Sequence, residues 1–222
     1  MAASWVEFLS GIDDVVPGVR GGWRNAGEQH LDPGDGDSVT NWIRSAFEER
    51  VADGELELGV NLVADSNGTG GLELGITATV GGTSDLPTLK NSAVLKITRA
   101  GNEGFEQIPD FLRDLLEALV NSWDPDWADA GTYELWDAQE AAGRIPRRTP
   151  RTGLATYLSE GRARLAGDAL AGCRTRPVGN GVVVDFLTES GEVPDLQRLV
   201  ELDQALRSGE AFAPTPTDRA RL

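Results

Sequence analysis

The stretch Ile108–Asp137, IPDFLRDLLEALVNSWDPDWADAGTYELWD, constrains this chain more than any other. Its first half sets Ile108, Phe111, Leu112, Leu115, Leu116, Leu119, Val120 and Trp123 at helical spacing, giving one wide apolar stripe that another layer must cover. Pro109 and Asp110 suit a helix start, because proline lacks an N–H that would be orphaned there and aspartate complements the helix dipole. Asp124-Pro125 stops the helix, since a residue before proline is pushed out of the α region. Around the stop lie Trp123, Trp127 and Trp136, and the acids Asp124, Asp126, Asp129, Glu134 and Asp137. Tryptophans set among carboxylates form either a core seam with a wet edge or a surface that meets something basic.

The rest of the chain supplies partners for that stripe. Ser4–Val15 is predicted to be a helix with Trp5, Phe8, Leu9 and Ile12 inward, opened by a Ser4/Glu7 capping box. A second helix, capped by Asp37 or Ser38, runs to about Ala52. Leu56–Ala64 and Leu72–Val80 alternate with period two across the turn DSNGTGG and read as a hairpin, followed by a strand over Ser92–Arg99. A strand is expected near Gly131–Asp137, and a strand or helical turn over Thr152–Ser159. Arg174–Val178 and Gly181–Thr188 read as a second hairpin, and Asp195–Arg207 as a last helix with Gly209 at its C-cap. This order points to an α+β fold, a mostly antiparallel sheet with helices packed on it, in one domain over residues 1–209. Residues 210–222 read as a disordered tail.

Charge narrows the function. The 222 residues carry a net charge of −16. Residues 1–143 hold 8 basic and 26 acidic side chains, whereas residues 144–222 hold 12 and 10. Such a surface repels phosphate, so neither nucleic acid nor an anionic membrane is an expected partner; a cationic protein is. No run approaches the ~20 apolar residues of a membrane span. The N-terminal MAASWVEFLSGIDD is acidic rather than a basic leader, so the cytoplasm is the expected compartment.

Catalytic raw material is sparse. One cysteine, Cys173, and one histidine, His30, exclude a multi-cysteine zinc site within the chain. Cys173 beside Arg174 and Arg176 could be an activated thiol, but a packed cysteine at a strand start is the simpler reading. The run DPGDGD lacks the full pattern of a calcium loop. Asp124-Pro125-Asp126 pairs two carboxylates with no nucleophile or base beside them. We therefore expect no enzymatic activity, metal or cofactor. The alternatives are a metal-dependent hydrolase using Asp124, Asp126 and Asp129, or a structural module of a secretion apparatus. The candidate partner-binding residues are Asp32, Asp35 and Asp37 in the early loop, and Asp124, Asp126, Asp129, Glu134 and Asp137 after the central helix.

The tract ALVNSWDPDWADAGTYELWD (Ala118–Asp137), with GLATYLS at Gly153–Ser159, VVVDFLT at Val182–Thr188 and the spacing of the last helix, resembles the bacterial immunity protein 52 family of polymorphic toxin systems. The resemblance spans about Leu56 to Leu206. It implies an α+β, cytoplasmic protein without catalysis that binds and neutralises a toxin encoded beside it; we expect a monomer or homodimer. It further implies that this toxin is a nuclease with a basic surface. The carboxylates at the wet edge, Asp124, Asp126 and Asp129, are then the part of the tract expected to touch it.

Overall fold

A computed structural model describes residues 1–16, 19, 22–55, 59–67, 72–80, 92–99, 112–143, 149–186 and 195–213. They form an α+β fold with two antiparallel sheets. The expected domain is built as two compact units, each with its own sheet.

The first unit holds α1 (Ala2–Val15), β1 (Trp23–Asn25), β2 (His30–Leu31), α2 (Gly36–Asp53), β3 (Val60–Asn67), β4 (Leu72–Val80) and β5 (Ser92–Arg99). Its sheet runs β2-β1-β3-β4-β5. The predicted stripe of α1 is the observed one: Trp5, Phe8, Leu9 and Ile12 are all fully buried, each worth about 1.5–3 kcal/mol of hydrophobic stabilisation. Trp5 meets Trp42 of α2 edge-on at 5.1 Å. The predicted capping box does not form, because α1 begins at Ala2, two residues earlier, and has no side-chain cap. Helix α2 is capped by Asp35, whose carboxylate accepts from the Asp37 N–H, rather than by Asp37 or Ser38.

Strand β3 alternates as expected, burying Val60, Leu62, Ala64 and Ser66. It runs three residues past its expected end: Asp65, Ser66 and Asn67 pair with Gly75, Leu74 and Glu73 instead of turning. The start predicted at Leu56 lies outside the described residues, and β5 has its predicted bounds. The Gly/Asp-rich stretch read as loop contains β1 and β2, with Trp23 fully buried and its indole N–H donating to Asp13 Oδ1 at 2.8 Å.

The second unit holds α3 (Leu112–Trp123), β6 (Trp127–Ala130), α4 (Tyr133–Gly143), β7 (Ala155–Ser159), α5 (Glu160–Ala166), a 3-10 turn at Gly167–Leu170, β8 (Arg174–Val178), β9 (Gly181–Asp185) and α6 (Leu196–Ser208). Its sheet runs β6-β7-β9-β8. All five residues of β7 are buried, because both faces of the sheet are covered. On one face, Leu116 and Val120 of α3 pack with Ala128, Ala155, Tyr157 and Val183. On the other, Leu158, Val184 and Phe186 pack with Leu199 and Leu206 of α6 and with Ala166, Ala211 and Phe212. Gly181 lets β9 approach β7 closely: a Cβ there would lie 2.1 Å from the Leu158 carbonyl oxygen.

Two expectations change here, and a third lies outside the described residues. The residues predicted to open the central helix, Ile108–Phe111, lie outside the described residues. The strand predicted near Gly131–Asp137 is helix α4, and the strand is β6, just before it. Thr132 decides this locally, since its hydroxyl oxygen accepts from the Leu135 N–H at 3.2 Å and caps the helix. The tail predicted from residue 210 is ordered to Ala213, with Ala211 and Phe212 buried.

Candidate functional site

The tract that singled itself out in the sequence is, in the fold, the edge strand β6 and the turns at its two ends. Helix α3 stops where expected: Asp124 takes a positive φ of 40° and its N–H returns to the Val120 carbonyl at 2.9 Å. Asp126 then enters β6 with its side chain turned inward. Its Oδ1 accepts from Ser159 Oγ at 3.0 Å, and its Oδ2 accepts from Arg162 Nε at 2.7 Å and pairs with Nη2 at 2.6 Å. Arg162 is 5% exposed, and its Nη1 donates to the carbonyls of Ala211 and Ala213 at 2.5 and 3.0 Å. One buried ion pair thus ties the start of β6 to α5 and to the turn after α6.

At the other end of β6, Asp129 stands opposite Thr156 of β7. Part of the residue reaches water, but its Oδ2 is sealed and accepts no hydrogen bond among the described residues. Burial drives its carboxyl up from 3.8 to about 7, against the opposing pull of Arg151 and of the Trp136 indole and with a further push from Asp203. The Trp136 indole N–H is the donor beside this carboxylate, but the geometry is poor: neither Asp129 Oδ2 nor Trp136 Nε1 makes a well-formed hydrogen bond among the described residues.

Around Asp129 runs a polar seam between α4, α6 and the segment leading into β7. Gln139 Nε2 donates to the Thr152 carbonyl and hydroxyl oxygens, both at 2.9 Å. The Thr152 N–H donates to Asp203 Oδ2 at 3.1 Å, and its hydroxyl to the Leu199 carbonyl at 3.3 Å. Arg207 Nε pairs with Asp203 Oδ1 at 2.5 Å, and its Nη2 donates to the Pro150 carbonyl at 2.6 Å. Asp203 is fully buried, which pushes its carboxyl upward, and Arg207 opposes that push. Gly153 admits the Ala130 backbone, where a Cβ would come within 2.4 Å of the carbonyl oxygen.

The remaining candidate carboxylates face water and fall into two groups, one in each unit. Asp32, Asp35 and Asp37 are exposed in the first unit. Two of them serve the local backbone, Asp32 accepting from the Gly34 N–H at 2.8 Å and Asp35 capping α2. Asp124, Glu134 and Asp137 are exposed in the second unit. Beside the latter two on α4, Tyr133 is 56% exposed and stands edge-on to Trp136 at 5.3 Å, with the Arg151 guanidinium 6.0 Å over the Trp136 ring. Trp127 and Trp136 are half-buried, and the Trp127 indole N–H donates to the Arg151 carbonyl at 3.1 Å.

Of the wet edge expected at Asp124, Asp126 and Asp129, Asp124 is exposed, while Asp126 and Asp129 are half-buried, the first with both oxygens engaged and the second with Oδ2 sealed. Both Asp126 oxygens are engaged from within the unit, which removes them as open ligands for the hydrolase alternative. Among the described residues no group of three or more His, Cys, Asp or Glu side chains is placed to hold a metal ion. Cys173 is half-buried; burial pushes its thiol up, and the base that opposes this is Arg198 rather than Arg174 or Arg176.

Sequence reasoning missed Arg162, Gln139, Thr152 and Asp203. Asp203 could have been found, because it falls between Leu199 and Leu206 on the inward stripe of α6, with Arg207 one turn on.

Comparison with known proteins adds little. No protein-family model matches the chain, and no curated protein does. Among solved structures it is similar to the Pseudomonas aeruginosa T6SS protein PA0821, with a TM-score of 0.46 and 15% identity over 96% of this chain and 71% of that one. A likeness that slight carries neither fold detail nor function across.

Proposed function

We propose that this chain is an immunity protein: a cytoplasmic, non-catalytic binder that neutralises a cognate toxin with a basic surface. The observation that carries the proposal is the concentration of 26 acidic against 8 basic residues in the first 143. That field speeds encounter with a cationic protein. The resemblance of Ala118–Asp137 to the immunity protein 52 family supports the same reading. A nuclease is the toxin class that fits best, because its groove must be basic to hold phosphate.

The contact surface we favour is the exposed face of α4. Tyr133, backed by Trp136, offers a rigid aromatic anchor of the kind that dominates interfaces, and Glu134 and Asp137 flank it on the same helix. Asp124 lies in the same unit, and Asp32, Asp35 and Asp37 are separate acidic candidates in the first unit. Asp126 and Asp129, which point inward, are not assigned a contact.

The test is co-expression with the toxin encoded beside the gene, followed by binding kinetics. Association should slow about tenfold or more between low and high salt while dissociation barely changes. Tyr133→Ala should speed dissociation without loosening the fold. Cells left unrescued by the intact chain would end the proposal, and co-purification with secretion components in place of one toxin would favour a structural module.

A further inference from the structure

Helix α4 is the most lightly anchored helix of the second unit. Tyr133, Glu134, Asp137, Ala141 and Ala142 are exposed, and Gln139 alone of its described side chains is buried. Leu135 packs against the Leu158, Phe186 and Leu199 cluster, and the rest of the hold on α4 is the polar seam, which is incompletely satisfied. Asp129 Oδ2, Trp136 Nε1 and Gln139 Oε1 are sealed from water without a hydrogen-bond partner among the described residues. An ionised carboxylate in that position is costly, because Arg151 and the poorly aligned Trp136 indole only partly replace the hydration it loses, whereas the neutral acid loses far less. Trp136 is held against this spot from below, since a Cβ on Gly131 would lie 2.9 Å from its Nε1.

We propose that Asp129 is a proton-operated latch on helix α4: the protonated carboxyl lets α4 close on β6 and α6, and loss of that proton lets α4 open.

The groups that face the latch decide its direction. From the segment before β7, Arg151 favours the charged form; from α6, Asp203 opposes it, itself balanced by Arg207. From α4 and β7 come the neutral Trp136, Gln139 and Thr156. Of the charged side chains of α3 and α5, Arg113 pairs with Asp185, Glu117 with Arg176, Arg162 with Asp126 and Arg164 with Glu160, and Asp114 is exposed. Burial outweighs Arg151, so the closed state holds its proton to about pH 7. In the open state the carboxyl returns to its ordinary value near 3.8. Closure is therefore strongest below that value, weakens as pH rises through the interval, and levels off above neutrality.

Hydrogen–deuterium exchange of the full chain, corrected for the intrinsic pH dependence of exchange, reads this directly. Protection of the α4 amides should fall ~100-fold between pH 5 and pH 8, with most of the loss below pH 7. Asp129→Asn, which mimics the neutral acid, should remove most of this dependence, the remainder belonging to Asp203. A flat profile in the unmutated chain, an unchanged slope in Asp129→Asn, or equal loss of protection throughout α3, α5 and α6 would each overturn the latch. Should Asp129→Asn not fold, a ¹³C titration of the Asp129 carboxyl in the unmutated chain replaces it: a midpoint within one unit of neutrality supports the latch, and one below pH 5 defeats it.

Discussion

The two ends of strand β6 hold the same residue type in opposite circumstances. Asp126 and Asp129 lie three positions apart in one tract, and both turn inward. At the first end the carboxylate receives three hydrogen bonds, two of them from a buried guanidinium. At the second an oxygen is sealed with none. The first arrangement ties together β6, α5 and the turn after α6. The second leaves a group whose charge opposes the packing around it. A buried acid is glue or liability according to whether a well-aligned charged donor is buried with it, and here that donor, Arg162, comes from 36 residues along the chain.

The sharpest way to break this comparison is to remove one partner at the satisfied end. Asp126→Asn or Asp126→Ala leaves the Arg162 guanidinium buried and unpaired, which should cost about 3–5 kcal/mol in denaturant unfolding. The double variant Asp126→Leu with Arg162→Met should recover most of that loss, because replacing a whole buried pair by apolar groups is often close to neutral. A cost under ~1 kcal/mol for the single variant would show that water reaches Arg162 in solution and that the two ends differ less than their geometry suggests.

At the unsatisfied end the sign reverses. Asp129→Asn should stabilise the protein at pH 8, by on the order of 2 kcal/mol once relaxation of the site is allowed for, and leave it nearly unchanged at pH 4. The sign follows from a folded-state value raised to about 7 from 3.8. In that window the folded chain keeps a proton that the unfolded chain has released, so stability declines as pH rises. Urea melts at the two pH values measure it, and a variant destabilised at pH 8 would mean that Arg151 supports the charged form more than burial penalises it.

Little of this contrast could be read before the fold was known, and the reason is physical. Where one face of an element is buried, the sequence shows it. The stripe of α1, the alternation of β3 and β4 and the inward leucines of α6 follow from periods of 3.6 or 2, while the β8–β9 hairpin follows from its GNG turn and β-prone VVVDFL. Strands β1 and β2, with three and two residues, are too short to show a period. Helix α4 differs from the strand expected there because its aromatics carry β-propensity while a single capping threonine sets the helix. The carboxylates posed a different problem. Their identity is local but their environment is not: sequence marks Asp126 and Asp129 as equivalent members of an acidic tract, and only the arrival of Arg162 beside one of them separates the pair. The exposed acids Asp124, Glu134 and Asp137 belong to the same tract, and what sets them apart is the turn after α3 and the solvent face of α4.

The smallest expected effect bears on how the unsatisfied end is held at all. Thr132 lies between Asp129 and α4, and its hydroxyl oxygen supplies the cap to the Leu135 N–H. Thr132→Ala should cost about 1 kcal/mol. If α4 opens on its own, that cost should appear first as faster amide exchange confined to α4, with the global unfolding midpoint moving less than the exchange does. If α4 unfolds only with the rest of the second unit, the midpoint and the exchange should move together. The same substitution leaves the Asp126–Arg162 pair untouched, so exchange in α5 should stay as it is in the first case and rise in the second. The two outcomes separate a hinged helix on a rigid unit from a unit that yields as a whole, and only the first leaves room for a proton at Asp129 to act on α4 alone.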